Sequence, residues 1–456
     1  MTAYGESARS GYRAQRLPRY PGPAGWNEIL PERRACPPLQ EQASADIAII
    51  GAGFAGLSAA RRLLQRDDTL RIAILEAGQL AQGSAGRNSG FMIDIPHELS
   101  SEDYAGQSRE KDLEQIRLNR VAIDFAREMA EDYELDRWVL DPCGKINAAA
   151  TERGDQFNRN FAGHLAHLGE ACELYDARAM QEITGTPYFR SGLYSPGTVM
   201  LQPAAYIRGL YRGLHARVRL YEGSPALSFQ RDGSFWRIKT PEGSLDCEKI
   251  ILAVNGHAES FGFFRRRLMH VFTYASMSRA MTAQQRGTLG GQANWSLTPA
   301  DPMGVTVRKV SVPGAGGERI LVRSRFTYDP SMEVSSGRLK SVAARHDRQF
   351  LARFPMLGDL QMEYRWGGQL CLSLNGVPAF GEVDQNVFAA VCQNGLGLTR
   401  GTLSGIAAAD LAAGERSALV ESLEQLPQPR KLPPEPLAWM GVNAVLAFKE
   451  LQARGE

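Results

Sequence analysis

The sequence predicts a mixed α/β chain: a Rossmann-like, parallel-sheet domain interleaved with a second domain built on a mostly antiparallel sheet. Three observations predict it. First, "ADIAIIGAGFAGLSAARRLL" (45–64) runs from an apolar strand through Gly-x-Gly-x-x-Gly into a helix. Second, "RIAILEA" (71–77) supplies the next buried strand and ends on an acidic residue, which completes a βαβ unit. Third, most of 265–365 alternates strands and turns, the pattern of an antiparallel sheet, while "RVRLYEGSPALSFQRDGSFWRIKTPEG" (217–243) reads as a meander with Asp-Gly and Glu-Gly turns. At 456 residues the chain is long enough for two such domains with substantial cores.

The elements follow in order. Residues 1–44 read as an extended arm, because Pro18, Pro21, Pro23, Pro31, Pro37 and Pro38 oppose helix. "DIAII" (46–50) is a short buried strand, and a helix runs from about Ala55 to Gln65 with Leu57, Ala60, Leu63 and Leu64 on one side. Residues 108–134 form a long amphipathic helix or a pair of helices, with Ile116, Val121, Ile123, Phe125 and Met129 as the apolar stripe. A helix at 205–216, a buried strand "CEKIILAVNG", a helix near 335–353 and a helix at 402–413 complete the body. "LPQPRKLPPEP" links it to a last helix, "LAWMGVNAVLAF", which is too short for a membrane span and reads as a packed helix. The expected division assigns 1–44 to the arm and 45–133, 201–258 and 366–420 to the dinucleotide-binding domain. It assigns 134–200 and 259–365 to the second domain and 421–456 to the linker and final helix.

Bulk properties exclude several classes. Hydrophobic content of 43% and charged content of 22% are ordinary for a globular protein. The net charge is +2 with no long basic run, so nothing points to nucleic acid. The six cysteines are scattered, with no CxxC and no close His, which gives no zinc or iron–sulfur spacing. So few thiols in so long a chain, with no apolar leader in "MTAYGESARSGYRAQRLPRYPGPAGW" and no transmembrane run, lead us to expect a cytoplasmic protein without metal.

The chemistry concentrates around residue 51. Gly51 permits a tight turn, Gly53 lets backbone approach a pyrophosphate, and Gly56 lets helix press on strand, with Ala52, Phe54 and Ala55 between them. Free N–H groups and the helix dipole favour phosphate there. Glu76 closes the second strand, where its carboxylate accepts ribose hydroxyls and repels a 2′-phosphate; Ala77 follows it. The next stretch, "GQLAQGSAGRNSGF", separates two cofactors. A nicotinamide enzyme continues with further βα units, whereas this Gly/Ser/Asn loop offers backbone donors to an isoalloxazine. The chain then departs and returns with "KIILAVNG" and "CQNGLGLTRG", as an extended flavin dinucleotide requires. A nicotinamide-dependent dehydrogenase remains the remote alternative.

These segments, in this order and spacing, resemble the D-amino-acid-oxidase-like superfamily of FAD enzymes, over about residues 17–450. The signatures are the arm before "DIAIIGAGFAGLSAA", "GSAGRNSGF", "MLQPAAYIRGL", "ILAVNGH", and "RWGGQLCLSLNGVPAFGEV" with "CQNGLGLTRG". The superfamily includes glycine, sarcosine and gamma-glutamylputrescine oxidases, and the last branch is the most similar. The resemblance implies non-covalent FAD and a flavoprotein that oxidises the C–N bond of an amine or amino acid, with oxygen or another electron acceptor. It implies Ser84, Arg87, Asn88, Ser89 and Gly90 along the ribityl chain and ring, and Ala226 at the adenine. It also implies Asn255 and Gly256 at the returning strand, and Asn394, Gly395, Leu396, Gly397 and Leu398 at the pyrimidine end. Sarcosine oxidases of this superfamily hold FAD covalently through a cysteine that Cys371 matches in register, so Cys371 is a possible covalent site; a small buried core residue is the other reading. Leu374, Asn375 and Gly376 depart from a Thr found in some relatives, which puts the substrate end in doubt.

Hydride transfer to flavin N5 from a neutral amine, followed by imine hydrolysis, requires no catalytic base, so the catalytic residue is left unassigned. Substrate candidates are Tyr274, Arg323, Arg325, Tyr328, Trp366 and His97. Alternation in "LVRSRFTYD" places Arg323, Arg325 and Thr327 on one strand face, where an Arg can pair with a carboxylate. A second reading has the chain as the flavin-binding subunit of a larger dehydrogenase that passes electrons to a partner.

Overall fold

The computed structural model describes residues 11–96 and 107–456; His97 lies outside the described residues. Apolar runs build three sheets. The nine-stranded sheet has at its centre Ser244–Leu252, Gln42–Ile50, Ile72–Leu75 and Val218–Tyr221, all parallel, with Val387–Val391 parallel to the end of the first. Both faces of these strands are buried, and the period of two divides them. Ile47, Ile49, Ile72 and Ile74 pack with the helices Phe54–Arg66 and Thr399–Ala412, while Ala48, Ile50, Ala73 and Leu75 pack toward Phe229 and Trp236.

The arm is not wholly extended. Gly11–Arg13 joins the edge of this sheet against Ser228–Asp232, and Gly25–Glu28 makes one helical turn between prolines. Gln42–Ile50 starts four residues before the predicted strand, since alternating polar residues at its start still pair with Ser244–Cys247.

The eight-stranded sheet runs Met362–Leu372, Met269–Ser278, Gly317–Tyr328, Thr306–Val312, Trp295–Pro299, Lys145–Ala149, Ser191–Ser195 and Glu173–Asp176. Every pairing is antiparallel except Trp295–Pro299 with Lys145–Ala149. The boundary expected at 366 thus falls inside a strand of the second sheet. Phe91–Met92, Val199–Leu201 and Leu140–Asp141 form a small third sheet. Among the described residues no helix is long and apolar enough to cross a membrane.

Two packings fix the geometry near residue 51. Asp410, buried on Thr399–Ala412, accepts from Arg62 Nε at 2.7 Å and Arg66 Nε at 3.1 Å, clamping this helix to Phe54–Arg66. A Cβ on Gly405 would lie 2.2 Å from the Ala55 carbonyl oxygen, so only glycine allows this approach. The loop 393–398 is thereby held beside the glycine turn.

Candidate functional site

The strand Gln42–Ile50 ends at Gly51, whose φ of +106° is left-handed and strained for any other residue. A Cβ on Gly56 would meet the Gly51 carbonyl oxygen at 1.9 Å. Gly53 differs. Its φ is −91°, and a Cβ there would find only the Ala85 Cβ, at an ordinary 3.5 Å. The protein itself therefore does not require glycine at 53. Gly53 caps Phe54–Arg66 without a side-chain bond, and the first turn holds no acidic residue, so its positive end faces the cleft unneutralised.

One continuous cleft passes this helix end. Ile50–Ala55 and Leu75–Ala77 line its start, and Pro225 and Ala226 flank it. Ala81, Gly83, Ser84, Ala85, Arg87 and Asn88 form one wall. Val254, Asn255, His257, Gln393, Gly395, Gly397 and Leu398 line the deeper part. The strands of the second sheet close it with Phe272, Gly367, Gln369, Leu370 and Cys371. The sequence missed one side: Arg16–Pro21 of the arm also lines the cleft. A Pro-rich arm carries no motif, so only the tertiary path could reveal it.

Glu76 is poised as a double acceptor. Its Oε2 accepts from the Ala52 amide at 3.0 Å and its Oε1 from the Gly78 amide at 3.1 Å. Burial raises its pKa, while these amides oppose the rise. The Tyr20 hydroxyl sits beside it, and burial together with this carboxylate pushes the Tyr20 pKa upward.

The loop residues divide. Asn88 folds back, its Oδ1 accepting from Gly90 N at 2.8 Å and its Nδ2 donating to Ala85 O at 2.6 Å, which shapes the wall. Arg87 lines the cleft, but its guanidinium is spent on carbonyls: Gln82 at 2.7 Å, Pro21 at 3.0 Å, Gly367 at 3.1 Å and Gly22 at 2.7 Å. It fastens the arm to the second sheet, and burial lowers its pKa to about 10. Ser89 and Gly90 lie beyond the lining: the Ser89 carbonyl accepts from Arg308 at 2.6 Å, and a Cβ on Gly90 would strike Arg308 and the Leu201 carbonyl. Gly256 is likewise outside, packed against His270. Asn394 and Leu396 support rather than line. Asn394 N donates to Cys371 O at 3.0 Å and its Oδ1 accepts from Ser373 N at 2.8 Å. A Cβ on Gly397 would meet nothing within 4 Å, and one on Gly395 only the Leu372 Cδ2, at 4.0 Å.

Cys371 does line the cleft, buried next to Cys392. Burial and that neighbour hold its thiol well above the usual range.

The substrate candidates are not brought together. The sheet carries a bulge at Thr273/Tyr274, and Arg325 opposite has φ +65°. The extra residue breaks the alternation, so Arg323 and Thr327 point to opposite faces, contrary to the expectation from "LVRSRFTYD". Arg325 pairs with Glu450 of the last helix, which Arg345 also reaches at 3.1 Å. Arg323 stacks over Phe326 at 4.9 Å and lies outside the cleft lining. Tyr274 is buried, its hydroxyl bonded to Thr327 Oγ1 at 2.7 Å. Tyr328 donates to Glu435 at 2.7 Å, beside a separate cavity of about 700 Å³. Trp366 is core, its indole N–H bonded to the Arg87 carbonyl at 3.0 Å. Phe272, Gln369 and His257 take their places, and none was singled out by the sequence. His257 is kept neutral by burial, its pKa lowered to about 4, and its Nδ1 has no partner among the described residues.

The comparisons decide the family. The model of the DAO family, described as FAD dependent oxidoreductase, matches residues 46–411. The chain belongs to this family of FAD-dependent oxidoreductases. It is 24% identical over 401 residues to the probable oxidoreductase OrdL of Haemophilus influenzae, covering 85% of this chain and 88% of that one. It is 21% identical over 382 residues to the gamma-glutamylputrescine oxidoreductase of Escherichia coli, covering 83% and 85%. Among solved structures, glycine oxidase from Geobacillus kaustophilus superposes with a TM-score of 0.66 at 21% identity, over 82% of this chain and 96% of that one. That likeness shows the shared fold. The site fits the cofactor of the family: an open glycine cradle at a helix N-terminus, a paired acceptor at Glu76 and open glycines at the far end.

Proposed function

We propose that this DAO-family oxidoreductase oxidises the C–N bond of an amine or amino acid at the inner end of the cleft. Gly51, Gly53 and Gly56 would hold the pyrophosphate of FAD on the helix Phe54–Arg66, Glu76 the ribose hydroxyls, and Ala226 the adenine. The loop Gly395–Leu398, at the start of Thr399–Ala412, would hold the pyrimidine end, where backbone N–H groups and the helix N-terminus favour negative charge. When bound, FAD supplies the hydride acceptor for amine oxidation.

The observation that carries the reading is the composition of the inner end. Phe272 and Leu370 make an apolar wall, and Gln369 and His257 are the polar side chains beside it. Such a wall excludes water and disfavours an ammonium, so the amine enters in its reactive, neutral form. Neutral His257 beside this wall would help position the substrate over the reacting face. The imine leaves and is hydrolysed in water. With Arg325 committed to Glu450, the carboxylate preference first drawn from the Arg pair loses its basis, and the substrate class stays amine or amino acid.

The test is the visible spectrum of the purified protein, followed by anaerobic titration with N-methyl amino acids, small cyclic amino acids and polyamine derivatives. Flavin bands that bleach with at least one amine, and not with 2-hydroxy acids, are expected. A protein that takes up no FAD, or a flavin reduced only by hydroxy acids or nicotinamides, would overturn the proposal.

A further inference from the structure

The helix Leu437–Gln452 lies on the strand Gly317–Tyr328 by an inner face on which Ala438, Val442 and Leu446 pack against Val271, Phe326 and Tyr328, and it exposes a second apolar face. Its inner face presents Asn443, which accepts from Tyr328 N at 3.0 Å, and Glu450, which receives Arg325 and Arg345. Its outer face carries Leu437, Trp439, Met440, Val445, Phe448 and Leu451, each between 44% and 65% exposed. An ordinary surface helix turns its one apolar stripe to the core; this helix carries an apolar outer face besides the one that packs. A continuous apolar patch of this kind marks an interaction surface.

We infer that this face is a two-fold interface between two copies of the chain. The order of residues along it is the reason. Outward positions are Leu437, Met440, Gly441, Ala444, Ala447, Phe448 and Leu451. They are symmetric about Ala444: small residues three positions away on each side, large apolar residues four and seven positions away. An antiparallel copy crossing at Ala444 sets Leu437 against Leu451 of the second copy and Met440 against Phe448. Gly441, Ala444 and Ala447 at the centre let the two backbones approach. A self-complementary patch is what a closed two-fold interface demands.

Area and charge agree. At about 150–200 Å² for a fully exposed large side chain, Leu437, Met440, Phe448 and Leu451, each 58–65% exposed, present about 400 Å². Two copies would remove about 800 Å² from water, with the small residues between them adding to it, the size of a weak, concentration-dependent contact. A membrane surface fits less well, because such helices carry basic residues along their polar flank. Here the polar flank is Asn443 and Glu450, turned to the protein, and Lys449 is the one charged residue among the exposed positions of the helix.

The experiment is sedimentation velocity on the flavin-loaded full chain across the micromolar range, for the native chain and for Met440→Glu and Phe448→Glu. The native chain should sediment as a dimer, and each variant, placing two carboxylates in the contact, should weaken self-association by about a hundredfold. Both side chains are exposed in the single copy, so the flavin spectrum and melting temperature extrapolated to the monomer should hold. Should these variants fail to fold, Ala444→Cys decides. The introduced thiol lies on the axis and should form an intermolecular disulfide with oxidised glutathione as oxidant. A native chain that stays monomeric, a dimer indifferent to both glutamates, an Ala444→Cys variant that forms no cross-link, or binding of the monomer to phosphatidylcholine vesicles in place of self-association would each overturn the inference.

Discussion

Replacing Gly53 by alanine separates what the fold needs from what the cofactor needs. The new methyl would meet the Ala85 Cβ at 3.5 Å, an ordinary contact, and φ at −91° suits alanine. The unliganded protein should therefore melt as the native one does. The same change at Gly56 would drive a methyl to 1.9 Å from the Gly51 carbonyl oxygen, and at Gly405 to 2.2 Å from that of Ala55; both should unfold or loosen the domain. At Gly53 the methyl occupies the approach path to the helix N-terminus. Overpacking a close contact costs about 1–3 kcal/mol, which is about 5- to 150-fold in FAD affinity. The assay is quenching of FAD fluorescence on titration with apoprotein, paired with melting curves with and without FAD. Native protein should gain stability with FAD as mass action requires, and the variant should gain far less at the same concentration. A Gly53→Ala protein that binds FAD with native affinity would refute the placement of the pyrophosphate. One that is unstable without FAD would refute the claim that the cradle is open.

Other predictions follow from contacts already described. Arg87→Leu strands four carbonyls that now accept from one guanidinium, and should cost about 3 kcal/mol or more in chemical denaturation and expose the arm to proteolysis. Arg325→Ala should leave KM for amines unchanged but cost about 1–3 kcal/mol of stability, since Glu450 keeps only Arg345 and the Phe326 amide; a raised KM would return Arg325 to the substrate site. Acid precipitation should release the flavin to the supernatant in both native protein and Cys371→Ser, because a thiol held above its usual pKa supplies little thiolate; colour retained in the native pellet alone would show the covalent bond. Burial lowers the pKa of His257 from 6.5 to about 4 and of His346 to about 3, so the native state binds fewer protons than the unfolded one. The stability this gives is full above about pH 6.5 and is lost as pH falls from there through 4 toward 3, by about 3 kcal/mol for His257; His257→Gln should flatten that slope in melting temperature against pH.

The legible part of this protein was the part written in local rules. The run Ile47–Ile50, the glycines at 51, 53 and 56, and Glu76 each act within one βαβ unit, and their spacing alone fixes a strand end, a helix start and an acid between them. The flavin loop was half legible. Its Gly and Asn content pointed to backbone donors lining a cofactor, but not to Arg87 turning away to hold Pro21, Gly22 and Gly367, residues far off in the chain. The substrate end was illegible because it depends on register. Strict alternation put Arg323 and Thr327 on one face, and a single bulged residue at Arg325 reversed that, since a shift of one position moves every later side chain to the other side of the sheet. Nothing in "LVRSRFTYD" announces the bulge, and the bulged Arg325 pairs with Glu450 of the last helix, far off in the chain.

That connection carries a consequence for how the parts depend on one another. The last helix reads as a packed element, and it is packed, by the apolar contacts of Ala438, Val442 and Leu446 and by charge and amide contacts. Glu450 holds Arg325 and Arg345, and Asn443 both accepts from Tyr328 N and donates to its carbonyl at 3.0 Å. The strand Gly317–Tyr328 so held pairs directly with Met269–Ser278, whose Phe272 walls the inner cleft. A helix whose apolar surface is spent on a second copy has little freedom to leave that strand. Loosening the outer face should therefore reach the cleft through Arg325, Asn443 and the apolar contacts of Ala438, Val442 and Leu446 near Leu370. Asn443→Ala should loosen the strand in hydrogen exchange at residues 320–328 while leaving the glycine turn at 51–56 protected. Equal loosening at both places would mean that the two sheets open as one unit, and that the last helix has no separate hold on the substrate end.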